Sequence, residues 1–295
     1  MGKFQGVYVA LSTPMSPDGT VDLGTLESFV DYLITDGGIQ GLVPLGSTGE
    51  YYALNDAERN DVSRVVLKTA AGRVPVLIGT NAGSTREVIR LSQAAQDAGA
   101  EGVLLAPPYY SLPTPTELYD HFATVDSAID LPIMLYNYPA RTGVDLTPDL
   151  VEELAELKNV AYIKESTGDS TRVSEIIRRC GDKIDVFCGS DTIAFESFLL
   201  GAVGWVAGVA NVIPREHMEL YNLAMINKDI QAAKEHSYKM LPILDCFEGG
   251  GKYTQFVKAG CDLQGHSIGA PRKPLLPATD KESAILKKLL KQLQS

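Results

Sequence analysis

Lys164 is the side chain with the most chemistry to offer, because it interrupts an apolar run, Val160-Ala161-Tyr162-Ile163-Lys164. In a strand, alternate side chains share a face, so Tyr162 and Lys164 stand together and Ile163 opposite. If that face lines the interior of a closed sheet, the ammonium is desolvated and its pKa falls. A lysine kept partly neutral can attack a carbonyl carbon and form a Schiff base. The competing reading is a lysine paired with Glu165 or another buried carboxylate, and position alone leaves both open.

Other polar groups cluster where short apolar runs end. Gly46-Ser47-Thr48-Gly49-Glu50 offers backbone N–H groups and two hydroxyls, which suits a small carboxylate, although the same residues also make an ordinary turn. It is not a nucleotide-phosphate loop, since no Gly-Lys-Ser/Thr follows. Tyr136 ends another run, level with Lys164 on the adjacent strand; it is either a proton relay or a lining aromatic. Arg141, between Pro139 and Gly143, could grip a carboxylate bidentately or could be an exposed loop cation. Tyr109-Tyr110 follow a further run, and Gly189-Ser190-Asp191 closes another. Asp191 could contact a polar substrate tail or make a structural hydrogen bond.

The elements that must position these groups recur regularly. Apolar runs rich in Val, Ile and Leu occupy residues 6–14, 41–49, 74–80, 102–108, 132–139, 160–166, 185–191 and 204–211. Helical patterns fill the gaps at 23–35, 56–71 (after Asn55 as N-cap), 84–98, 115–128, 148–157, 171–179 and 192–200. Strands that are continuously apolar and alternate with helices imply right-handed βαβ units, and eight such units predict a (β/α)8 TIM barrel. The runner-up, an open doubly wound sheet, would normally carry a Gly-x-Gly-x-x-Gly after its first strand, and none is present. We divide the chain into a barrel domain, 1–215, and a C-terminal helical extension, 216–295. The extension has helical stretches at 217–226, 230–244, 253–263 and 283–294, broken by Pro242, Gly249-Gly250-Gly251 and residues 270–277.

Composition narrows the function. The 295 residues carry a formal charge of −11, with 45% hydrophobic and 21% charged side chains. That is the balance of an ordinary globular protein with a full core. A nucleic-acid binder would need clustered Lys and Arg; the Lys287-Lys288…Lys291 group reads as a solvated helix face. The longest uncharged run, 197–214, is at the short limit for a membrane span and is interrupted by Gly201, Gly204, Gly208 and Asn211. Residues 1–11 lack secretory features, so a cytoplasmic location is expected. Cys180, Cys188, Cys246 and Cys261 and the scattered histidines lack zinc-site spacing, so reduced thiols and no metal are expected.

Together, Gly46-Ser47-Thr48-Gly49-Glu50, Tyr136-Asn137-x-Pro139-x-Arg141-Thr142-Gly143 and Lys164-Glu165-Ser166 resemble the dihydrodipicolinate synthase/N-acetylneuraminate lyase family along the whole chain. The resemblance implies a class I aldolase-type lyase in which Lys164 forms a Schiff base with C2 of pyruvate or another 2-oxo acid. Tyr136 would be the acid/base, Ser47 the relay hydroxyl, and Tyr110 a relay tyrosine reaching in from a neighbouring subunit. Thr48, Gly46 and nearby backbone N–H groups would hold the keto-acid carboxylate, the carbonyl around Val206 would touch the keto acid, and Arg141 would bind the second carboxylate. The resemblance also implies a homotetramer, a dimer of dimers, with no cofactor because the imine is itself the electron sink.

The same resemblance implies a 4-hydroxy-tetrahydrodipicolinate synthase first. Alternatives are a pyrroline-4-hydroxy-2-carboxylate deaminase and an N-acetylneuraminate or 2-keto-3-deoxy sugar acid lyase. Ser47 in place of threonine leans toward the lyase branches, and Arg141 leans back toward the synthases. Asp56, Arg59 and Gly83 stand where many synthases bind inhibitory lysine, so no feedback inhibition by lysine is expected at physiological concentrations. Outside catalysis, a barrel that senses a small carboxylate remains the alternative. A phosphate-binding barrel enzyme would need basic residues near Gly208 and Asn211, and there are none.

Overall fold

A computed structural model describes residues 4–294. The first three residues of the barrel domain and the last of the extension lie outside the described residues. The strands are β1 (Gly6–Ala10), β2 (Gly41–Val43), β3 (Leu77–Gly79), β4 (Gly102–Leu105), β5 (Ile133–Asn137), β6 (Val160–Glu165), β7 (Asp185–Cys188) and β8 (Gly204–Ala207). All pair in parallel, in the order β2-β1-β8-β7-β6-β5-β4-β3. A bridge from Leu42 to Val76, with Leu42 N donating to Pro75 O at 3.0 Å, brings the two ends of the sheet together into a barrel.

Period-two alternation divides the core into two shells. Tyr8, Met134, Tyr136, Tyr162, Phe187 and Val206 fill the barrel. Their neighbours Val7, Leu135, Ile163, Val186 and Trp205 face the helices. Around the barrel run α1 (Leu23–Thr35), α2 (Asp56–Ala70), α3 (Thr85–Asp97), α4 (Pro115–Ala128), the single turn α5 (Pro139–Thr142), α6 (Pro148–Leu154), α7 (Ser170–Cys180) and α8 (Ala194–Leu199). Their starts follow local chemistry. Asn55 and Glu58 form a reciprocal capping box at α2, and Thr114 and Glu117 form another at α4 with Pro115 in its first turn.

The tail comprises α9 (Pro214–Tyr221), a π-helical turn at Asn222–Ile226, α10 (Ile230–Gly249), α11 (Tyr253–Leu263) and α12 (Asp280–Leu293). The domain boundary drawn after residue 215 falls inside α9. Two expectations are corrected. Pro242 does not break the helix, because α10 runs through it. Proline inside a helix removes one hydrogen bond and costs about 3 kcal/mol, but Met240, Ile243, Leu244 and Phe247 are buried around it and hold the helix in place. The strand expected over 41–49 stops at Val43: Pro44 has no N–H to donate and Leu45 turns into the left-handed region at φ 60°. All four cysteines are free thiols.

Candidate active site

The polar residues picked out by the sequence come from the C-terminal ends of the strands, where barrel enzymes build their sites. Register pairs Tyr136 of β5 with Lys164 of β6, and Lys164 with Phe187 of β7. Lys164 points into the barrel and is buried. Its ammonium lies 4.2 Å from the centre of the Tyr136 ring. Glu165 faces away, accepting from Asn137 Nδ2 at 3.0 Å and Thr167 N at 2.6 Å, and so does not pair with Lys164. Gly189 makes room: a Cβ there would sit 2.9 Å from Lys164 Cε and 1.9 Å from Ser166 Oγ.

Burial sets the electrostatics. It pulls the Lys164 ammonium down to about 8, opposed by the negative charge of Asp191. Asp191 is itself raised, by its burial and by the nearby Glu248. Trp205 Nε1 donates to Asp191 at 2.9 Å and the Tyr253 hydroxyl donates to its other oxygen. Burial pushes the Tyr136 phenol up to about 12, opposed by Arg141 and by the neighbouring hydroxyls of Ser47 and Ser166. The phenol therefore carries its proton at neutral pH.

Ser47, Thr48, Tyr136, Arg141, Lys164 and Val206 line one cavity of about 260 Å³. The turn that carries Ser47 and Thr48 is closed by Gly49 N on Gly46 O at 3.1 Å and Glu50 N on Ser47 O at 3.1 Å. Gly46 belongs to that turn and does not itself line the cavity. Arg141 sits on α5, and Asn137 secures the segment that follows it. Asn137 Nδ2 donates to Asp145 at 2.9 Å, and Asn137 Oδ1 accepts from Leu146 N at 3.0 Å. The Arg141 guanidinium rests over Tyr138, 5.6 Å from its ring centre, and makes no ion pair among the described residues. Tyr110 is not brought to the cavity of its own chain: it is 98% exposed on a loop, in the left-handed region at φ 76°.

Some lining residues are given no role by the sequence: Ser166, although it stands in the Lys164-Glu165-Ser166 motif, and Glu248 and Tyr253 of the tail. Ser166 Oγ is buried beside the Tyr136 phenol. Glu248 and Tyr253 come from the tail and complete the wall beside Asp191. Glu248 accepts from Thr192 Oγ1 at 2.9 Å and Ser190 Oγ at 3.2 Å, and also from Asp191 N. Only the Gly249-Gly250-Gly251 run beside Glu248 marked this place, and it reads as a helix end. The assembled cavity thus has an amine of lowered pKa at its base, a protonated phenol against it, a hydroxyl-bearing turn on one side and an unpaired guanidinium at its mouth. Such a set can bind a small oxo acid, add an amine to its carbonyl, and move the protons that the addition requires.

Comparison with known proteins places this site in context. The model of the "Dihydrodipicolinate synthetase family" matches residues 3–293. The chain is 41% identical to a 4-hydroxy-tetrahydrodipicolinate synthase of Pelobacter propionicus, covering 98% of each chain. It is 39% identical to one of Geotalea daltonii, again over 98% of each. Among solved structures, the dihydrodipicolinate synthase of Acinetobacter baumannii complexed with pyruvate superposes with a TM-score of 0.92 at 37% identity, covering 98% of this chain and 99% of that one. The enzyme from Aquifex aeolicus superposes with a TM-score of 0.92 at 35% identity, over 99% and 98%.

Proposed function

This chain belongs to the dihydrodipicolinate synthetase family, and from that premise we propose that it is a 4-hydroxy-tetrahydrodipicolinate synthase, joining pyruvate to aspartate semialdehyde through a Schiff base on Lys164. It is a lyase of the class I aldolase type. The observation that carries the reading is the buried Lys164 amine, with its lowered pKa, facing the protonated Tyr136 phenol in one small cavity.

In the proposed cycle, neutral Nζ attacks C2 of pyruvate. The oxygen on C2 takes up two protons in turn and leaves as water, giving a protonated imine. That cation draws electrons from C3, a C3 proton is lost, and the enamine attacks the aldehyde carbon of the second substrate, whose oxygen takes up a proton. The amine of that substrate then adds to the regenerated imine carbon and displaces Lys164 Nζ, closing the ring and freeing the lysine. Tyr136 moves the protons, with Ser47 as the relay hydroxyl. Thr48 and the backbone of the turn begun by Gly46 hold the keto-acid carboxylate, and the carbonyl of Val206 contacts the keto acid. Tyr110 completes the relay in a neighbouring copy of the chain. Its exposure, and that of Leu112 at 58%, supports that part, because a second copy would cover both. The reading includes a homotetramer, a dimer of dimers, working in the cytoplasm on small molecules. Among the described residues no helix is long and apolar enough to cross a membrane.

Trapping tests the chemistry. Borohydride reduction with saturating pyruvate should add one pyruvate-derived mass on Lys164, and an unmodified chain would sink the mechanism. Arg141 tests the substrate. Arg141→Ala is expected to raise KM for the second carboxylate substrate roughly 10- to 100-fold, the worth of a charge-assisted bidentate contact. KM for pyruvate should move by less than about threefold if Arg141 touches only the second substrate. Equal effects on both would mean that this guanidinium grips the keto acid instead.

A second reading has one observation in its favour. Ser166, Ser190, Thr192 and Glu248 give the far side of the cavity hydroxyls and a carboxylate, groups that hydrogen-bond substrate hydroxyls. That composition suits a sugar-derived 2-oxo acid or a hydroxylated pyrroline carboxylate. Turnover measured across aspartate semialdehyde, 2-keto-3-deoxy sugar acids and pyrroline-4-hydroxy-2-carboxylate separates the two readings.

A further inference from the structure

The turn that presents Ser47 and Thr48 is an unfavourable piece of backbone. It is flanked by two non-glycine residues in the left-handed region, Leu45 at φ 60° and Glu50 at φ 57°. Each such conformation is unfavourable for a residue with a side chain and persists only where its surroundings hold it. What holds this one comes from the far end of the chain. Lys258, on α11, buries its ammonium against Glu50 Oε1 at 2.8 Å, and both side chains are essentially inaccessible to solvent. The same ammonium donates to Thr13 O at 2.9 Å and to Ala270 O at 3.0 Å. Thr13 in turn donates its hydroxyl to Gly49 O at 2.7 Å. Arg272 N donates to the other Glu50 oxygen at 2.8 Å, while the Arg272 guanidinium is clamped to Glu58 and to the carbonyls of Gly19 and Ala53. Two routes therefore lead from one tail lysine to the turn, one through Glu50 and one through Thr13 and Gly49.

We infer that Lys258 is a positioning residue, through which the helical tail holds the Ser47-Thr48 turn in the geometry that binds the keto-acid carboxylate. The inference rests on the reading of that turn given above. It also gives the tail a part in holding the binding turn, since Lys258 of α11 supplies the positive charge that faces the buried Glu50. A buried pair broken on one side is strongly destabilising, whereas replacement of both partners by neutral groups is far better tolerated. The informative variant is therefore the double change Lys258→Met with Glu50→Gln, accompanied by Thr13→Val, which removes one hydroxyl and keeps the side-chain shape.

Pyruvate affinity is read by calorimetric titration, which registers binding whether or not an imine forms. The expected result is a dissociation constant raised by about tenfold or more in the double variant and about threefold in Thr13→Val, the scale of a slightly misplaced binding group. kcat at saturating pyruvate should fall as well, because the same turn carries the Ser47 relay hydroxyl. A purely structural role would lower the melting temperature and leave pyruvate affinity unchanged, and that result in either variant overturns the inference. Thr13→Val decides the matter alone if the double variant does not fold. Borohydride trapping in the same samples reports the Schiff base independently, so a failure of the proposed function is distinguishable from a failure of the tether.

Discussion

Replacement of Lys164 by methionine is expected to abolish the pyruvate adduct and to lower kcat by on the order of 10⁴-fold or more, as loss of a covalent nucleophile does elsewhere. Methionine fills the same channel beside Gly189 without a polar head, so the barrel should fold. Lys164→Arg should be equally inactive. It keeps a cation in place, but a guanidinium stays protonated at any working pH and cannot attack a carbonyl. That pair of variants separates a nucleophile from a mere counter-charge for Asp191. The amine must be neutral to react, and burial lowers its pKa from 10.5 to about 8. At pH 7 roughly one amine in ten is then neutral, against about one in three thousand at the unperturbed value. The rate of adduct formation should accordingly climb with pH and level off above about 8. Asp191 raises this pKa by stabilising the ammonium, so Asp191→Asn should move the midpoint to lower pH. A midpoint that stays put or moves upward would show that Asp191 is neutral in the resting enzyme and does not set the amine.

Much of this arrangement can be read in the chain before any coordinates are known, and the reasons differ from element to element. The barrel is legible because each parallel strand is buried on both faces and so appears as a short apolar run between helical patterns. Lys164 stands out for the same reason: an ammonium is conspicuous among Val160, Tyr162 and Ile163. The limits are equally physical. Pro44 and the left-handed Leu45 end β2 early, yet apolar residues continue past them and imitate a longer strand. Pro242 looks like a helix end, and only the burial of its neighbours shows why α10 continues. Glu248, Tyr253 and Lys258 are invisible in local periodicity. Their contacts to Asp191, Ser190, Thr13 and Glu50 depend on how tail helices pack over the barrel mouth, at sequence separations of 57 to 245 residues. Glu50 shows both sides of this. Its place in the Gly46–Glu50 motif is plain, but that its carboxylate faces a buried lysine rather than the cavity follows only from the tail.

Tyr136→Phe should lower kcat by about 10³-fold, within the range for losing a positioned general acid/base. Phenylalanine preserves the ring that packs against Lys164 and Tyr138, so pyruvate affinity should change by no more than about threefold. The effect should fall on proton transfer. Attack by the amine leaves negative charge on the C2 oxygen, and that oxygen departs only after it has taken two protons. A phenol held near 12 is protonated throughout the neutral range and can supply the first of them, with Ser47 placed to pass on the next. The variant should therefore still be trapped by borohydride at long incubation, but with adduct formation slowed in proportion to kcat. Its pH profile should keep the midpoint set by Lys164, because the phenol does not titrate there. The buried Ser166 hydroxyl provides the sharpest check, since it neighbours the phenol and lines the same cavity. If Tyr136→Phe retains more than about a tenth of kcat, the protons come by another route; if Tyr136→Phe with Ser166→Ala then falls by the missing factor, that route is Ser166.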